Sequence, residues 1–357
     1  FKQKTASEIP LRLVGSEMCI RDRYLAPFYL LVCVYILLRS LHWFQVLHTV
    51  FRNVWVCRGI GLVYLFVVFS ILIAFMAPAS GFRRFMKLLS NYWLGVLMYT
   101  LMTLGIADGL RLLLKYPLRN LGFPGRELLF SNMGTAVVGA VCAVIISTVS
   151  IYGVLSAGNI HTTKYNISVD KKAGNMKELN VVLVADLHLG YNIGCKQMEQ
   201  MTEKINEQKP DLVVVAGDIF DNEYEALDDP EKLAEILRGI RSKYGVYACY
   251  GNHDIQEKIL AGFTFGSKEK KESTPEMDEF LEKAGITLLR DEYVLIDDSF
   301  YLYGRPDYER PGRGIDKRKT PQEIIEGMDV SLPVLVIDHE PRELQELADT
   351  GVDVDLC

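Results

Sequence analysis

Four clusters of metal-binding residue types occur in the second half of the chain, each directly after a short apolar run. The clusters are Asp186-Leu187-His188, Gly217-Asp218-Ile219-Phe220-Asp221, Gly251-Asn252-His253-Asp254 and Asp338-His339. Apolar runs of this kind are typical of buried strands in a parallel sheet. Ligands of open α/β sheets bind in the crevice beyond the carboxyl ends of the strands, so we expect the four clusters to converge on one site.

Carboxylate, imidazole and amide groups in such a place suit a pair of divalent metal ions. Asp186 and His188 are two residues apart, so they leave their strand on the same side and can give an oxygen and a nitrogen to one ion. Asp218 can bridge to a second ion, which would take the Asn252 side-chain oxygen and a ring nitrogen of His339. Two ions roughly 3.5–4 Å apart would lower the pKa of a shared water and favour an in-line displacement at phosphorus.

Each cluster taken alone also has an ordinary structural explanation. An Asp-x-His is common by chance, and a Gly-Asp after a strand is more often a turn than a ligand. A Gly-Asn-His-Asp segment can be a turn with a hydrogen-bonded histidine. The conjunction favours the metal site, because three of the six histidines follow predicted strands. These are His188, His253 and His339; the others lie in or beside apolar segments and are assigned no role.

Strand and helix patterns alternate around these clusters and predict an α/β domain. The predicted strands are Leu179–Ala185, Leu212–Ala216, Val246–Tyr250, Ile286–Leu289, Tyr293–Ile296, Phe300–Tyr303 and Val334–Ile337. The predicted helices are Lys196–Glu207, Glu231–Ile240 and Pro341–Ala348. A segment rich in Arg, Lys, Gly and Pro, from Tyr308 to Thr320, is predicted to be a loop.

In order and spacing, the clusters resemble the first four motifs of the calcineurin-like metallophosphoesterases. The matching residues are Asp186-x-His188, Gly217-Asp218-x-x-Asp221, Gly251-Asn252-His253-Asp254 and Asp338-His339-x-Pro341. The resemblance covers Leu179 to Cys357 and is greatest to the bacterial membrane-associated branch, in which spanning helices precede the domain. It implies an α/β domain built as an αββα sandwich.

The resemblance also implies a role for each residue of the motifs. The ligands of a dinuclear centre of divalent ions, Mn, Fe, Zn or similar, would be Asp186, His188, Asp218, Asn252 and His339. His253 would be catalytic, as the proton donor to the leaving group or as a stabiliser of the phosphoryl oxygens, with Asp254 as its partner. Asp221 would orient ligands through hydrogen bonds. The expected reaction is hydrolysis of a phosphomonoester or phosphodiester.

The family's fifth motif, Gly-His-x-His, supplies one more ligand to each metal. It should follow the strand that begins within Val352–Cys357, where the sequence stops. The phosphoesterase domain, residues 178–357, is therefore expected to be incomplete at its C-terminus. A chain without these two ligands is expected to bind metal weakly.

The first half of the chain has a different composition. Through Lys164 there are 16 Lys and Arg against 5 Asp and Glu, whereas the remainder has 23 against 40. An apolar basic half before an acidic half of ordinary globular composition indicates a membrane module joined to a soluble domain. An acidic domain has no general attraction for nucleic acid. The seven cysteines form no C-x-x-C pair, so no disulfide framework or structural zinc site is indicated.

Uncharged runs predict about four transmembrane helices within residues 24–160. The runs are Tyr24–Leu38, Gly59–Phe82, Asn91–Ala107 and Ser131–Ile160. The first is short, and residues 1–23 are expected to be a non-native leader that replaced its true start. Asp108 and Arg111, one turn apart, are predicted to pair at a helix end. Residues 161–177 are expected to be a linker.

Basic residues between these segments predict the orientation in the membrane. Seven Lys and Arg lie in the first and third loops, at Arg39–Arg58 and Arg111–Arg126, against three in the second loop, at Arg83–Lys87. By the positive-inside rule, the side with seven charges is cytoplasmic. The phosphoesterase domain is then extracytoplasmic, where a phosphate-ester substrate and membrane lipids are its expected partners.

Two other functions compete with hydrolysis. The soluble domain can be a membrane sensor or scaffold that keeps the phosphoesterase fold without turnover, and loss of both histidines beyond Cys357 would favour that function. A small transporter is disfavoured by four uninterrupted spans with little charge inside the membrane. The basic loop can hold an anionic group beside the metals, although a solvated loop explains its charges equally well. Its basic residues are Arg305, Arg310, Arg313, Lys317, Arg318 and Lys319.

Overall fold

The computed structural model describes residues 10–78, 80–116, 126–257, 259–260, 263–264 and 272–357. The chain divides into two compact units, Phe1–Ala157 and Gly158–Cys357. The first unit is helical, and the second contains both four-stranded sheets. This confirms a helical N-terminal region followed by an α/β domain with two sheets. The finer boundaries at residues 24, 161 and 178 stay predictions.

The first unit consists mainly of long apolar helices. They are α1 (Pro10–Leu47), α2 (Val54–Val68), α3 (Ser70–Met76), α4 (Gly81–Lys115), α5 (Arg126–Phe130) and α6 (Asn132–Ala157). Three segments, Ala26–Leu47, Gly81–Lys115 and Asn132–Ala157, are long and apolar enough to cross a membrane. Helices α2 and α3 are long and apolar enough to cross a membrane only if they are taken together, as one segment bent by 47°.

The Gly59–Phe82 run, predicted to be one span, is divided at Phe69 into α2 and α3. The hydroxyl of Ser70 donates a hydrogen bond to the Val67 carbonyl oxygen (2.6 Å), and such side-chain bonds to the preceding turn bend helices. Residues 1–9 of the expected leader lie outside the described residues. Pro10 begins the helix that continues as the first span.

The basic residues of the predicted second loop lie instead in the first turns of α4. Ser80 caps this helix by accepting a hydrogen bond from the backbone N–H of Arg83 (3.2 Å), so the helix begins before the uncharged run Asn91–Ala107. Arg39, which was predicted to lie in the first loop, is likewise inside α1. Lys and Arg are good helix formers, so charge alone does not end a helix.

Hydrogen bonds between the helices fix their directions. Tyr29 of α1 accepts from Trp93 of α4 (3.0 Å), and further along both helices Arg39 contacts Asp108, so α1 and α4 are parallel. The intervening α2–α3 pair therefore returns the chain to the end from which α1 starts. Arg111 near the end of α4 donates to Thr135 near the start of α6 (3.3 Å). The unit is thus an up-down-up-down arrangement of α1, α2–α3, α4 and α6.

Asp108, the only acidic residue of α4, pairs with α1 rather than with its own helix. Its carboxylate accepts hydrogen bonds from the Arg39 guanidinium (2.5 Å) and the Tyr35 hydroxyl (2.7 Å). The predicted pair with Arg111 is wrong, because the Arg111 side chain is directed to α6. A carboxylate among apolar helices needs a charged partner, and the parallel packing of α1 brings a guanidinium closer than the next turn does.

The second unit alternates strands and helices. In chain order its elements are β1 (Val181–Val184), α7 (Cys195–Glu207), β2 (Leu212–Ala216), α8 (Pro230–Arg238), β3 (Val246–Cys249), β4 (Ile259–Leu260), β5 (Phe263–Thr264), α9 (Pro275–Lys283), β6 (Ile286–Leu288), β7 (Glu292–Ile296), β8 (Phe300–Arg305), α10 (Pro321–Ile324), β9 (Val334–Asp338), α11 (Leu344–Thr350) and β10 (Val354–Leu356).

Two four-stranded sheets form the framework of this unit. The first has the order β1-β2-β3-β6 and is parallel throughout. The second has the order β10-β9-β8-β7, and all its pairs are parallel except β7–β8. Strands β4 and β5 pair separately as a short antiparallel ribbon.

The two faces of each sheet bury different residues because side chains alternate along a strand. Val213 and Val215 of β2 pack with apolar residues of α7, α8 and α9. Between them, Val214 points the other way and shares a core with Leu302 of β8. Tyr303, next along β8, packs on the opposite face with residues of α10 and α11. The sheets therefore share an inner core, and helices cover their outer faces.

Helix α9 is the main element that the pattern analysis does not predict. The start signal is present, since Pro275 follows Thr274 and precedes acidic residues in the first turn. Helix α11 begins at Leu344 rather than at the predicted Pro341. Glu343, its N-cap, has a φ of +62°, so the chain turns sharply before the helix begins.

Leu302 is fully buried between the sheets, so Leu302→Ala should lower the free energy of unfolding by about 2–5 kcal/mol. The measurement is the urea concentration at which Cys249, buried in the same core, becomes reactive to a thiol reagent in the detergent-solubilised chain. Mass spectrometry identifies the labelled peptide. The matched control is Leu295→Ala on the neighbouring strand, because Leu295 is 38% exposed. Equal shifts for both variants would contradict the inner core described above.

Candidate active site

The carboxyl ends of β1, β2, β3 and β9 bring the predicted clusters together. Asp186, His188 and Asp218 all have a positive φ, of 52°, 44° and 50°. The left-handed region costs a non-glycine residue about 1–3 kcal/mol, and such residues cluster at functional sites. Backbone hydrogen bonds join the two loops, from Asp186 to the Gly217 oxygen (3.2 Å) and from His188 to the Asp218 oxygen (2.9 Å).

Two glycines allow these loops to approach one another. Gly217 has a φ of +72°, and a Cβ atom there would lie 2.6 Å from the His339 side chain. A Cβ atom on Gly251 would lie 2.3 Å from an oxygen of Asp218 and 2.7 Å from the His339 ring. Both positions exclude any larger residue, because the space beside each backbone is taken by a site side chain.

A first group of polar side chains surrounds the buried carboxylate of Asp218. Asp186, Asp218 and His339 each place one potential ligand atom within 4.8 Å of the others. His339 Nε2 is 3.2 Å from an Asp218 oxygen and 3.1 Å from the Asn252 side-chain oxygen. His188 Nε2 is 3.7 Å from an oxygen of Asp186 and 3.7 Å from one of Asp218. The structure thus brings all five predicted ligands together.

Hydrogen bonds set the charge states of Asp218 and His339. Burial alone would raise the pKa of Asp218, but hydrogen bonds from His339 and from the His253 backbone N–H outweigh burial and lower it. The hydrogen bond to Asp218 raises the pKa of His339 to about 9, against the opposing effect of burial. His339 Nδ1 donates to the Ala216 carbonyl oxygen (3.0 Å), which directs Nε2 at Asp218. Metal binding here therefore competes with a proton on His339.

A second group consists of His188, Asp221 and His253, whose potential ligand atoms also lie within 4.8 Å of one another. Asp221 lies between the two rings, 3.8 Å from Nδ1 of His188 and 3.9 Å from Nδ1 of His253. The rings are 5.0 Å apart at an angle of 85°. His188 faces both groups, and this shared histidine joins them into one cluster.

Asn222 is a site residue that the sequence analysis missed. Its side-chain nitrogen is 2.5 Å from His253 Nδ1, and the residue is buried with a φ of +61°. Its backbone N–H also donates to the His253 carbonyl oxygen (3.2 Å). Asn222 therefore orients the His253 ring. An Asn directly after the Gly-Asp-x-x-Asp motif was the available signal, because Asn tolerates left-handed backbone better than most residues.

Asp254 holds two loops rather than the ring of His253. Its carboxylate accepts hydrogen bonds from the backbone N–H groups of Phe220 (2.8 Å) and Gly251 (2.7 Å). Burial raises the pKa of Asp254 to about 7, although these hydrogen bonds oppose the shift. The expected pairing of Asp254 with His253 is not formed within the described residues, since the side-chain partner of His253 is Asn222.

A buried ion cluster supports the end of β9, immediately before His339. The carboxylate of Asp338 accepts hydrogen bonds from Arg305 (3.1 Å) and Arg318 (3.3 Å), and Asp338 and Arg305 are fully buried. Burial raises the pKa of Asp338 to about 6, and the two guanidinium groups counteract part of this effect. Separating Asp338 from the two guanidinium groups would leave buried charges unpaired, which is strongly destabilising. This cost holds the end of β9, and His339 directly after it, in place.

The basic loop is held mostly by internal pairs. Arg313 contacts Asp278, and Lys319 Nζ donates to the Asp291 carbonyl oxygen (2.8 Å). Arg310 differs because its guanidinium donates to the Asn252 carbonyl oxygen (3.2 Å) and contacts Glu257 (3.4 Å). This places one half-exposed cation of the loop directly behind a predicted metal ligand.

The donor set fits divalent metal ions. Two carboxylates, Asp186 and Asp218, lie close together with imidazole nitrogens and an amide oxygen around them. Neighbouring carboxylates repel one another unless a proton or a cation lies between them. Oxygen and imidazole donors in this mixture suit Mn, Fe and Zn. Asp186, His188, Asp218, Asn252 and His339 are the residues that would hold the ions.

Comparison with protein families matches residues 179–353 to the family described as Calcineurin-like phosphoesterase. The chain is 26% identical over 229 residues to a transmembrane protein with metallophosphoesterase domain from Danio rerio, covering 60% of this chain and 48% of that protein. It is 29% identical over 204 residues to the uncharacterized metallophosphoesterase YkoQ of Bacillus subtilis, covering 55% of this chain and 66% of that protein.

A third relative is the UDP-2,3-diacylglucosamine pyrophosphatase LpxG of Chlamydia trachomatis, with 22% identity over 228 residues, 55% of this chain and 67% of that protein. The chain spans about half the length of the transmembrane relatives from Danio rerio and Bos taurus. The matched segment contains β1 to β9 and every site residue named above. Residues 179–353 thus match the calcineurin-like phosphoesterase family and resemble domains of its members.

Proposed function

We propose that this protein hydrolyses a phosphomonoester or phosphodiester with two divalent metal ions held at the Asp218 cluster. The observation that carries the proposal is the convergence of Asp186, His188, Asn252 and His339 around the buried carboxylate of Asp218. When bound, the ions would activate a water for attack on phosphorus and stabilise negative charge on the phosphoryl group.

Each site residue has a distinct task in this proposal. Asp218 would help to hold both ions, since His188 and His339 both approach one of its oxygens, at 3.7 and 3.2 Å. Asp186 and His188 would hold one ion, and Asn252 and His339 would hold the other. The buried Asp254 keeps the loops that carry Asp218 and Asn252 in register through their backbone N–H groups.

His253 is proposed to donate a proton to the leaving group. Asn222 holds Nδ1, so Nε2 is the ring nitrogen that remains for the substrate. The carboxylate of Asp221 lies 3.9 Å from Nδ1 of the same ring. The competing assignment makes His253 a metal ligand together with His188 and Asp221, and the two assignments differ in what loss of the ring does to metal content.

A lipid-linked substrate is the class that we favour. The domain follows helices long and apolar enough to cross a membrane, and one relative is a pyrophosphatase of a diacylated sugar nucleotide. A catalytic domain held at a membrane meets lipid-linked phosphates at a high local concentration.

The domain is proposed to lie outside the cytoplasm. In the up-down-up-down arrangement, the ends of α1 and α4 lie together and opposite the end of α6, from which the domain continues. Cations around the ends of α1 and α4, such as Arg52, Arg58 and Lys115, make that end cytoplasmic by the positive-inside rule. Arg39 contributes less than the sequence suggested, because Asp108 neutralises it.

Asp218→Asn should remove most of the divalent metal bound by the purified protein restored to full length, because a neutral amide cannot bridge two cations as a carboxylate does. Elemental analysis after incubation with Mn²⁺ or Zn²⁺ measures the loss. Asp211→Asn is the matched control at the other end of β2, where Asp211 accepts a hydrogen bond from the Asn180 backbone N–H. A folded protein that binds no metal, or equal loss in both variants, would refute the proposed centre.

In the full-length enzyme, His253→Ala should leave metal content intact and lower turnover of an alkyl phosphate ester by roughly 10²–10⁴-fold. An activated aryl ester should be affected much less, because its leaving group departs without a proton. His188→Ala should lower metal content and both activities together. Loss of metal in His253→Ala, or equal slowing of both esters, would instead make His253 a ligand or a structural residue.

Cys357 is exposed and reports the side of the membrane on which the domain lies. We expect a membrane-impermeant thiol reagent to label Cys357 in intact cells, with the labelled peptide identified by mass spectrometry. Labelling only after lysis would place the domain in the cytoplasm and reverse the proposed orientation.

A further inference from the structure

A cavity of about 680 Å³ lies among α1, α4 and α5 in the helical unit. This volume is within the range of about 300–1,000 Å³ that is typical of small-ligand sites. Most of its lining is ionisable, which is unusual beside helices apolar enough to cross a membrane. The ionisable residues are Arg39, His42, Asp108, Arg111, Lys115 and Glu127.

Three of these residues form a charged stripe on one face of α4. Asp108, Arg111 and Lys115 are spaced by three and four residues, which places them above one another on a helix. The stripe extends over about 10 Å at the end of the helix. It brings three charged side chains of α4 to the cavity.

The charges around the cavity do not cancel. Arg39 and Asp108 form an ion pair at 2.5 Å, so they contribute little net charge. Among the described lining residues, Arg111 and Lys115 are then opposed by one carboxylate, that of Glu127. Guanidinium and ammonium groups that face one cavity are the donors that proteins use for phosphate.

The helix dipole alone does not explain this arrangement. It favours cations such as Lys115 at the end of α4, but it gives no reason for Arg39 and His42 of α1 to line the same cavity. In addition, the Arg39 Nε atom is buried and lacks a hydrogen-bond partner among the described residues. A buried donor without a partner is costly, so the pair with Asp108 does not satisfy the whole Arg39 guanidinium.

We propose that this cavity binds a phosphate group, carried by an anionic lipid headgroup or free in solution, between Arg111 and Lys115 of α4 and Arg39 of α1. The site is separate from the Asp218 cluster and does not depend on the proposed hydrolysis. An anion at this place would tie the parallel ends of α1 and α4 together through both helices.

Direct binding to the full-length chain in detergent at fixed ionic strength tests the site. The probes are dioctanoyl phosphatidic acid, dioctanoyl phosphatidylcholine and inorganic phosphate, each titrated by calorimetry. We expect phosphatidic acid to bind at least about ten-fold more tightly than phosphatidylcholine, because the choline cation neutralises the phosphate charge. Arg111→Gln and Lys115→Gln should each weaken binding of phosphatidic acid about ten-fold through loss of a charge-assisted hydrogen bond.

The matched control is Arg58→Gln, because Arg58 is an exposed helical arginine that stacks on Trp55 and does not line the cavity. Unchanged helical content by circular dichroism in Lys115→Gln shows that the variant is folded. Tighter binding of phosphatidic acid than of inorganic phosphate would identify the lipid as the source, and equal binding would identify free phosphate. Equal affinity for the two lipids, or equal weakening by Arg58→Gln, would overturn the proposal.

Discussion

The buried carboxylate of Asp218 is the group on which the geometry of the phosphoesterase site depends. It accepts a backbone hydrogen bond from His253 (2.8 Å) and lies beside His339 and His188. A buried carboxylate is stable only when such partners surround it, so the loops after β1, β3 and β9 all close on the end of β2. This close approach of the loops requires glycine at position 251, because the Gly251 backbone passes too close to Asp218 for any side chain.

Two sheets are required because the site draws on both. The first sheet carries Asp186, Asp218 and Asn252 on neighbouring parallel strands, whereas His339 comes from β9 of the second sheet. The inner core around Val214 and Leu302 fixes the separation of the sheets, and thereby the distance from His339 to Asp218. The buried pair of Asp338 with Arg305 holds the end of β9. The distance from His339 to Asp218 therefore depends on residues outside the site as well.

The helical unit also contains a carboxylate that needs a partner, but with fewer charges around it. A carboxylate at Asp108 among apolar side chains needs a cation, and Arg39 on a parallel helix provides it. The same contact shows that α1 and α4 run in the same direction, so the bent α2–α3 pair acts as the return segment. The Arg39–Asp108 pair thus connects the packing of the helices with the charged cavity at their common end.

The sequence alone determined the succession of strands and helices along the domain and the residues of the four polar clusters. Apolar runs such as Val181–Ala185 and Leu212–Ala216 predict buried strands because a parallel strand is covered on both faces, and a polar cluster after such a run is visible without coordinates. The difference in composition between the halves likewise predicted a membrane module joined to a soluble domain, since charge and hydropathy are properties of the local sequence.

Only the tertiary structure decided which partner each polar group takes. Asp108 pairs with Arg39 rather than with Arg111, and His253 contacts Asn222 rather than Asp254, because hydrogen bonds are made across packed elements far apart in the chain. Sequence spacing predicts contacts only within one helix or one strand. Distances such as that from His339 to Asp218 depend on how two sheets pack, and no local pattern contains that information.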